Sequence, residues 1–155
     1  MEAPPSTVPH GTASPESSPA AVLGLLTDPQ ARLSWLVDWA RHQPSLPVQD
    51  RIDRHRVSGC QVRLWWIPEL REGRCWFRTD SDAVSLKALT GFLSQHYSGR
   101  TPLEVIQGER APLERLGLLR HLADNRRATV LRVEDLIHAF ASEALGAPPP
   151  PAASA

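Results

Sequence analysis

The chain has 155 residues, 41% of them apolar, and its seventeen basic and seventeen acidic side chains cancel to a net charge of zero. That length suits one domain with a real core, and the balance leaves no bulk charge to attract nucleic acid or an anionic membrane. No stretch approaches the ~20 apolar residues of a membrane span. The opening MEAPPSTVPHGTASPESSP lacks the basic and apolar regions of a secretory signal, and two cysteines make no disulfide framework, so a cytoplasmic protein with free thiols at Cys60 and Cys75 is expected.

Nine of the fifteen prolines lie in the two ends, which are otherwise mostly Ser, Thr and Ala. Such segments bury too little apolar surface to offset the entropy of ordering them. Residues 1–20 and 147–155 are therefore expected to be disordered tails around a folded unit at 21–146. In DPQARLSWLVDWARHQ, Asp28 can cap, Pro29 suits the first helical position, and Leu33, Leu36, Val37 and Ala40 share a face that Trp35 and Trp39 widen. Pro44 and Pro47 end this helix by Gln43.

CQVRLWWI alternates, with Val62, Leu64 and Trp66 on one side and Gln61, Arg63 and Trp65 on the other. This predicts a strand from Cys60 that Pro68 ends. LREGR reads as a turn and CWFRT as a second strand, giving an antiparallel hairpin over 60–80. DRIDRHRV, before it, is a candidate third strand. DSDAVSLKALTGFLSQHY switches to helical spacing, with Ala83, Leu86, Leu89 and Leu93 on one face, Val84, Phe92 and Tyr97 broadening it, and Asp80, Ser81 and Asp82 as capping residues. TPLE is a capping box that opens a short helix from Thr101 to about Ile106. APLERLGLLRHL is a further helical segment. The last is RATVLRVEDLIHAFASEAL, with Val130, Val133, Ile137 and Phe140 at helical spacing and Gly146 as its stop. The fold class is α+β: a small antiparallel sheet of about three strands packed against several helices.

The six histidines form no zinc-spaced cluster with each other or with the cysteines. There is no Gly-rich phosphate loop and no G-x-S-x-G. Cys75, beside Trp76 and Phe77, reads as a small core hydrophobe. Cys60 follows Ser58 and Gly59, a pair that frees the backbone just before the strand. From the residues alone, packing and chemistry both stay open for it.

VSGCQVRLW, then TDSDAVSLKAL, RTPLEVIQG and GLLRHLADNRRATVL, in that order and at closely similar spacing, resemble the SufE family. The likeness covers about residues 28–145 and implies a SufE/IscU-like fold. It also implies an accessory sulfur-transfer protein rather than a stand-alone enzyme. Such a protein takes sulfur as a cysteine persulfide from a pyridoxal-phosphate cysteine desulfurase of the SufS or CsdA type, stimulates that enzyme, and delivers the sulfur to a SufBCD-like iron–sulfur scaffold. By position the acceptor is Cys60. Ser58, Gly59, Gln61 and Trp65 form its loop and partner interface, and Asp82 matches an acidic position near that loop. Arg126 matches the arginine of the family's HL-x-x-x-R segment as a stabiliser of the sulfur anion or a partner contact, with Arg127 leaving the register open by one. The implied chain holds no cofactor or metal of its own, since the pyridoxal phosphate belongs to the partner, and self-association as a homodimer is left open. Val62 stands where the family usually has serine, and Ala88 and Thr129 stand where glycines are common.

Two other readings stay in view: a binding module that regulates a desulfurase without accepting sulfur, and a thiol redox protein using Cys60 and Cys75. For the sulfur reading, an ordinary thiol is only a few per cent ionised at neutral pH, so the attacking cysteine needs a positive charge or a base nearby. Arg126, or a group from the desulfurase, is expected to supply it. An apolar pocket is expected to shelter Cys60 at rest, with Ser58 and Gly59 as the hinge that swings it out.

Overall fold

The computed structural model describes residues 18–146, so most of both expected tails lies outside the described residues. Ser18 caps the first helix, α1 (Pro19–Leu25), and α2 (Pro29–Arg41) opens as its sequence dictates, with Asp28 accepting from the Ala31 amide at 3.0 Å. Arg32 ties this end together. Its guanidinium donates to the Leu23 and Leu26 carbonyls, and reaches across to Leu116 O at 2.9 Å.

The sheet has two strands, β1 (Leu64–Arg71) and β2 (Arg74–Ser81), joined by a two-residue turn. Glu72 and Gly73 both have positive φ, 51° and 75°, the combination that matches the twist of the flanking strands. The expected third strand is not formed. Residues 48–57 instead carry two single 3₁₀ turns, Val48–Asp50 and Asp53–His55, and their backbone meets the sheet where Arg56 bridges Trp65 and Val57 N donates to Leu64 O. Their charged side chains are used in ion pairs: Asp50 with Arg78 at 3.0 Å, and Arg51 with Asp80 at 2.8 Å. The outer edge of β2 is covered by the chain after the next helix, through Cys75 N to Arg100 O and Gly99 N to Cys75 O, both 2.8 Å.

Pro68 does not end β1, which continues to Arg71. It pairs with Phe77, whose own amide points outward to Ser98 Oγ at 3.0 Å, so the missing proline N–H faces the open edge and costs no ladder bond.

Helix α3 (Val84–Tyr97) packs on β2 and α2, and α6 (Asp124–Ala144) lies across α3, α4 and β1. Between them run α4 (Pro102–Gln107), with the Thr101–Glu104 capping box formed in both directions, and a single turn α5 (Pro112–Arg115). APLERLGLLRHL is therefore helical only at its start, because Gly117 turns the chain with φ 71°. The expected caps of α3 are corrected too. Ala83 is the N-cap, with no side-chain cap bond, and Asp80 and Ser81 belong to β2. Asp80 is 1% exposed, and its carboxylate accepts from Arg51, from the Leu46 amide at 2.9 Å and from the Ser81 amide at 2.8 Å. A buried carboxylate is tolerable only when so surrounded. The core is one cluster, from Leu23 and Leu36 through Leu64, Phe77, Leu89 and Leu93 to Val133 and Ile137.

Candidate functional site

Cys60 sits on a loop with a closed neck. Val57 N donates to Leu64 O at 2.9 Å and Arg56 bridges Trp65, so residues 58–63 project as one excursion before β1. The strand thus starts at Leu64, four residues later than the alternation suggests. Gly59 turns the chain at φ +83°, in the left-handed region where side-chain-bearing residues are strained.

The far side of the loop is held at Arg63. Its carbonyl accepts from Ser81 Oγ at 2.7 Å and from the Asp82 amide at 3.3 Å, and its guanidinium pairs with Asp82 Oδ2 at 2.6 Å. Behind it Trp65 is 3% exposed, with the Arg51 and Arg63 guanidinium carbons 5.3 and 5.4 Å from its ring centre. Val62, at the usual serine position, packs against the core, while Ser58, Gly59 and Gln61 are exposed. The loop is therefore anchored through 62–65, while over 58–61 the side chains of Ser58 and Gln61 are exposed and Cys60 packs against the core.

Cys60 itself is half-buried and packs against the core from outside, with Sγ 3.4 Å from Thr129 Oγ1 on α6. The concavity at its mouth, about 400 Å³, is open and largely polar: Asp53, Arg56, Val57, Ser58, Gly59 and Cys60 line it. It is not the apolar pocket the chemistry suggested. What shelter the sulfur has comes from the core it packs against and from its contact with Thr129 on α6.

Arg126 stands one turn before Thr129 on α6. Its guanidinium donates to Ser85 Oγ at 2.8 Å, bridging α6 to α3, and it makes no hydrogen bond to Cys60. Arg127 donates to Leu119 O at 3.0 Å. From α6, Arg132 reaches the loop, its Nη1 lying 3.1 Å from where a Cβ on Gly59 would be. Sequence reasoning passed over it, although its spacing of three from Thr129 puts both on neighbouring turns of one helix face. Cys75 is fully buried in the core, and that burial pushes its thiol above the ordinary range. Among the described residues no group of three or more His, Cys, Asp or Glu could hold a metal ion, and no helix is long and apolar enough to cross a membrane.

A small α+β domain that presents one half-buried cysteine on a loop before its first strand is the class that fold and site define. The profile of the SufE family, described as an Fe-S metabolism associated domain, matches residues 20–141, and the chain belongs to that family. Its role accordingly lies in iron–sulfur metabolism. Similar curated proteins include the uncharacterized SufE-like protein slr1419 of Synechocystis, 28% identical over 64% of this chain and 63% of that protein. SufE-like protein 2, chloroplastic, of Arabidopsis thaliana is 33% identical over 52% of this chain and 32% of its own length. Quinolinate synthase, chloroplastic, also of Arabidopsis thaliana, is 32% identical over 60% of this chain, which spans 13% of that protein. In each case the chain covers less than two thirds of the relative. A solved structure, the solution structure of a hypothetical protein from Thermus thermophilus, shares the fold with a TM-score of 0.63 at 20% identity, over 81% of this chain and 92% of that one.

Proposed function

We propose that this protein accepts a sulfur atom on Cys60 from a persulfide carried by a cysteine desulfurase and hands it on for iron–sulfur cluster assembly. The step is thiol exchange: the Cys60 thiolate attacks the outer sulfur of the partner's persulfide, a new S–S bond forms on Cys60, the partner's S–S bond breaks, and its cysteine leaves as a thiolate. The proton lost by Cys60 matches the one the leaving thiolate takes up. Nothing is oxidised or reduced overall. One observation carries the reading in a chain of this family: Cys60 rides a loop anchored at its neck and at 62–65, its own tie being the thiol contact to Thr129, with Gly59 beside it at positive φ.

Cys60 docks on α6 at rest and swings outward when the desulfurase binds. The exposed residues Ser58, Gly59 and Gln61, with the Arg63–Asp82 pair beside them, are the surface that meets the partner. Pyridoxal phosphate stays with that partner, an iron–sulfur scaffold receives the sulfur, and the work is done in the cytoplasm, where thiols stay reduced. A Cys60–Cys75 redox pair is disfavoured. Cys75 faces Leu70 in the ladder while the Cys60 loop leaves the Leu64–Ser81 end, about 20 Å away at ~3.3 Å per residue.

The deciding experiment incubates the protein with a desulfurase and cysteine and looks by peptide mass for an added sulfur. It is expected on Cys60, absent in Cys60→Ser and retained in Cys75→Ser. Desulfurase turnover stimulated equally by Cys60→Ser would overturn the carrier reading and favour a regulatory module. Alkylation of Cys60 should be slow in the isolated chain and quicken with desulfurase; equal rates would rule out the gated loop.

A further inference from the structure

The hydroxyl of Thr129 has one proton, and its neighbours say where that proton goes. Oγ1 lies 2.9 Å from Asn125 O, one turn back in α6, and a carbonyl can only accept. Toward Cys60 Sγ at 3.4 Å, Thr129 therefore presents a lone pair, and the thiol is the donor. This seat suits S–H. A thiolate, or the terminal sulfur of an ionised persulfide, only accepts, so it must either break the Thr129–Asn125 bond or move away.

There is somewhere to move. Arg132, one turn further along the same face, holds its Nη1 3.1 Å from the Cβ position of Gly59, the residue before Cys60. Arg132 is exposed and has no hydrogen-bond or ion-pair partner among the described residues, and α6 is a helix of 21 residues whose backbone does not follow the loop. A guanidinium offers five fixed N–H donors and no acceptor, the complement of what Thr129 offers. Asp53 and Arg56 also line the concavity at Cys60, but they belong to the segment that leads into the loop, whereas Arg132 reaches it from the helix on which the sulfur is seated.

We propose that Thr129 and Arg132 are two stations for the Cys60 sulfur: Thr129 positions the neutral thiol at rest, and Arg132 receives the anion, first the thiolate and then the persulfide. The thiolate station stands on geometry alone; the persulfide station rests on the sulfur-acceptor reading above. No redox step is involved in either move, only loss of the thiol proton to solvent and, on transfer, the S–S exchange already balanced.

The test reads iodoacetamide alkylation of Cys60 by peptide mass in the full isolated chain, and the two stations predict opposite signs. Thr129→Val removes the acceptor and should speed alkylation about threefold, a loss on the scale of one modest hydrogen bond, while Thr129→Ser should restore the native rate. Arg132→Gln should slow it about threefold and remove the fall in rate with added salt that a screened charge produces, and Arg132→Lys should restore both. Thr129→Val at or below the native rate, Arg132→Gln at the native rate and salt dependence, or Arg56→Gln giving the loss instead would each overturn the assignment. With desulfurase and cysteine added, persulfide on Cys60 should fall about threefold in Arg132→Gln. If no sulfur reaches Cys60 even in the native chain, the acceptor reading fails and with it the persulfide station, while the alkylation arms still decide the thiolate one.

Discussion

Around Tyr97, helix α6 supplies Glu134 and His138 to a cluster closed on every side. The Tyr97 hydroxyl lies 3.0 Å from Glu134 Oε1 and 3.3 Å from His138 Nε2, and the same carboxylate oxygen accepts the Ala111 amide at 2.8 Å. Nearer its N-terminus the same helix offers Thr129 and Arg132 to the Cys60 loop, where one thiol contact and one unpaired guanidinium replace that density. The first cluster ties Ala111, in its left-handed turn at φ 57°, to Glu134 through the Ala111 amide. The second leaves its central residue with more than one place to go. The contrast is between a buried carboxylate held by polar partners, beside which His138 Nδ1 has no hydrogen-bond partner, and an exposed guanidinium with no hydrogen-bond or ion-pair partner among the described residues.

The largest effects should come from breaking the closed cluster. Glu134→Ala leaves the Ala111 amide without its acceptor and takes from the Tyr97 hydroxyl its charged partner, with Glu109 O at 3.2 Å remaining, and should cost about 3 kcal/mol in urea unfolding, since hydrogen bonds to a charged group contribute roughly 1.5–3 each. Alkylation of Cys60 in the folded protein should hardly change. An equal effect on both would mean that the two regions are not separate.

The cluster also sets the response to acid. Burial works against ionisation of Glu134, but His138, the Ala111 amide and the Tyr97 hydroxyl outweigh it and hold the carboxyl below its ordinary value. Burial lowers His96 as well, with Arg100 adding to the effect, and burial together with the Glu134 charge pushes Tyr97 above its ordinary range. For Glu134 and His96 the unfolded chain takes up protons first as pH falls, so stability must fall with it. Thermal unfolding should show loss beginning near the ordinary histidine value of about 6.5 and continuing below the ordinary carboxylate value of about 4.3. His96→Phe, which keeps the stack on Phe92, should remove the upper part of that slope and leave the lower. Tyr97 acts at the other end, where stability should fall as pH rises past about 10.

Gly59→Ala comes next. A side chain at φ +83° costs about 1–2 kcal/mol, and the new Cβ would meet Arg132 Nη1 at 3.1 Å, a contact that a flexible arginine can relieve. Its stability cost should be modest, but alkylation quickened by desulfurase should be blunted, because the pivot is stiffer and the guanidinium displaced. Full quickening in Gly59→Ala would remove Gly59 from the hinge.

Helices α2 and α4 were legible because their signals are local, whereas α1 begins inside the segment expected to be a tail. Asp28 with Pro29, and Thr101 with Glu104, cap as their chemistry demands. The first half of the hairpin misled because Cys60 to Trp66 alternates whether or not a partner strand lies beside it, and β2 runs out at Ser81, opposite Leu64. Asp80 resembled a cap only until Arg51 and Leu46 N, 29 and 34 residues away in sequence, came to rest on it. The Cys60 loop, the proposed acceptor, was picked out from Gly59 and Cys60 through the family resemblance. Thr129 showed only as a residue out of pattern, and Arg132 not at all, since nothing in one sequence says which turn of α6 will face a loop some seventy residues earlier.

The smallest effect tests where the loop stops being free. The Arg63–Asp82 pair is at the surface, with side chains 59% and 41% exposed, and such pairs contribute about 0–1 kcal/mol. Asp82→Ala should therefore scarcely move the unfolding midpoint, because Ser81 Oγ and the Asp82 amide still hold the Arg63 carbonyl. If the guanidinium is part of what anchors 62–65, though, alkylation of Cys60 should rise less than twofold and become less sensitive to salt. A double-mutant cycle with Arg63→Ala, read by alkylation, then separates the pair from its members. Coupling between them puts the boundary of the free segment at Arg63. Additive effects would leave the boundary to the Arg63 carbonyl and the packed Val62, and the Arg63 guanidinium to Trp65 and the partner.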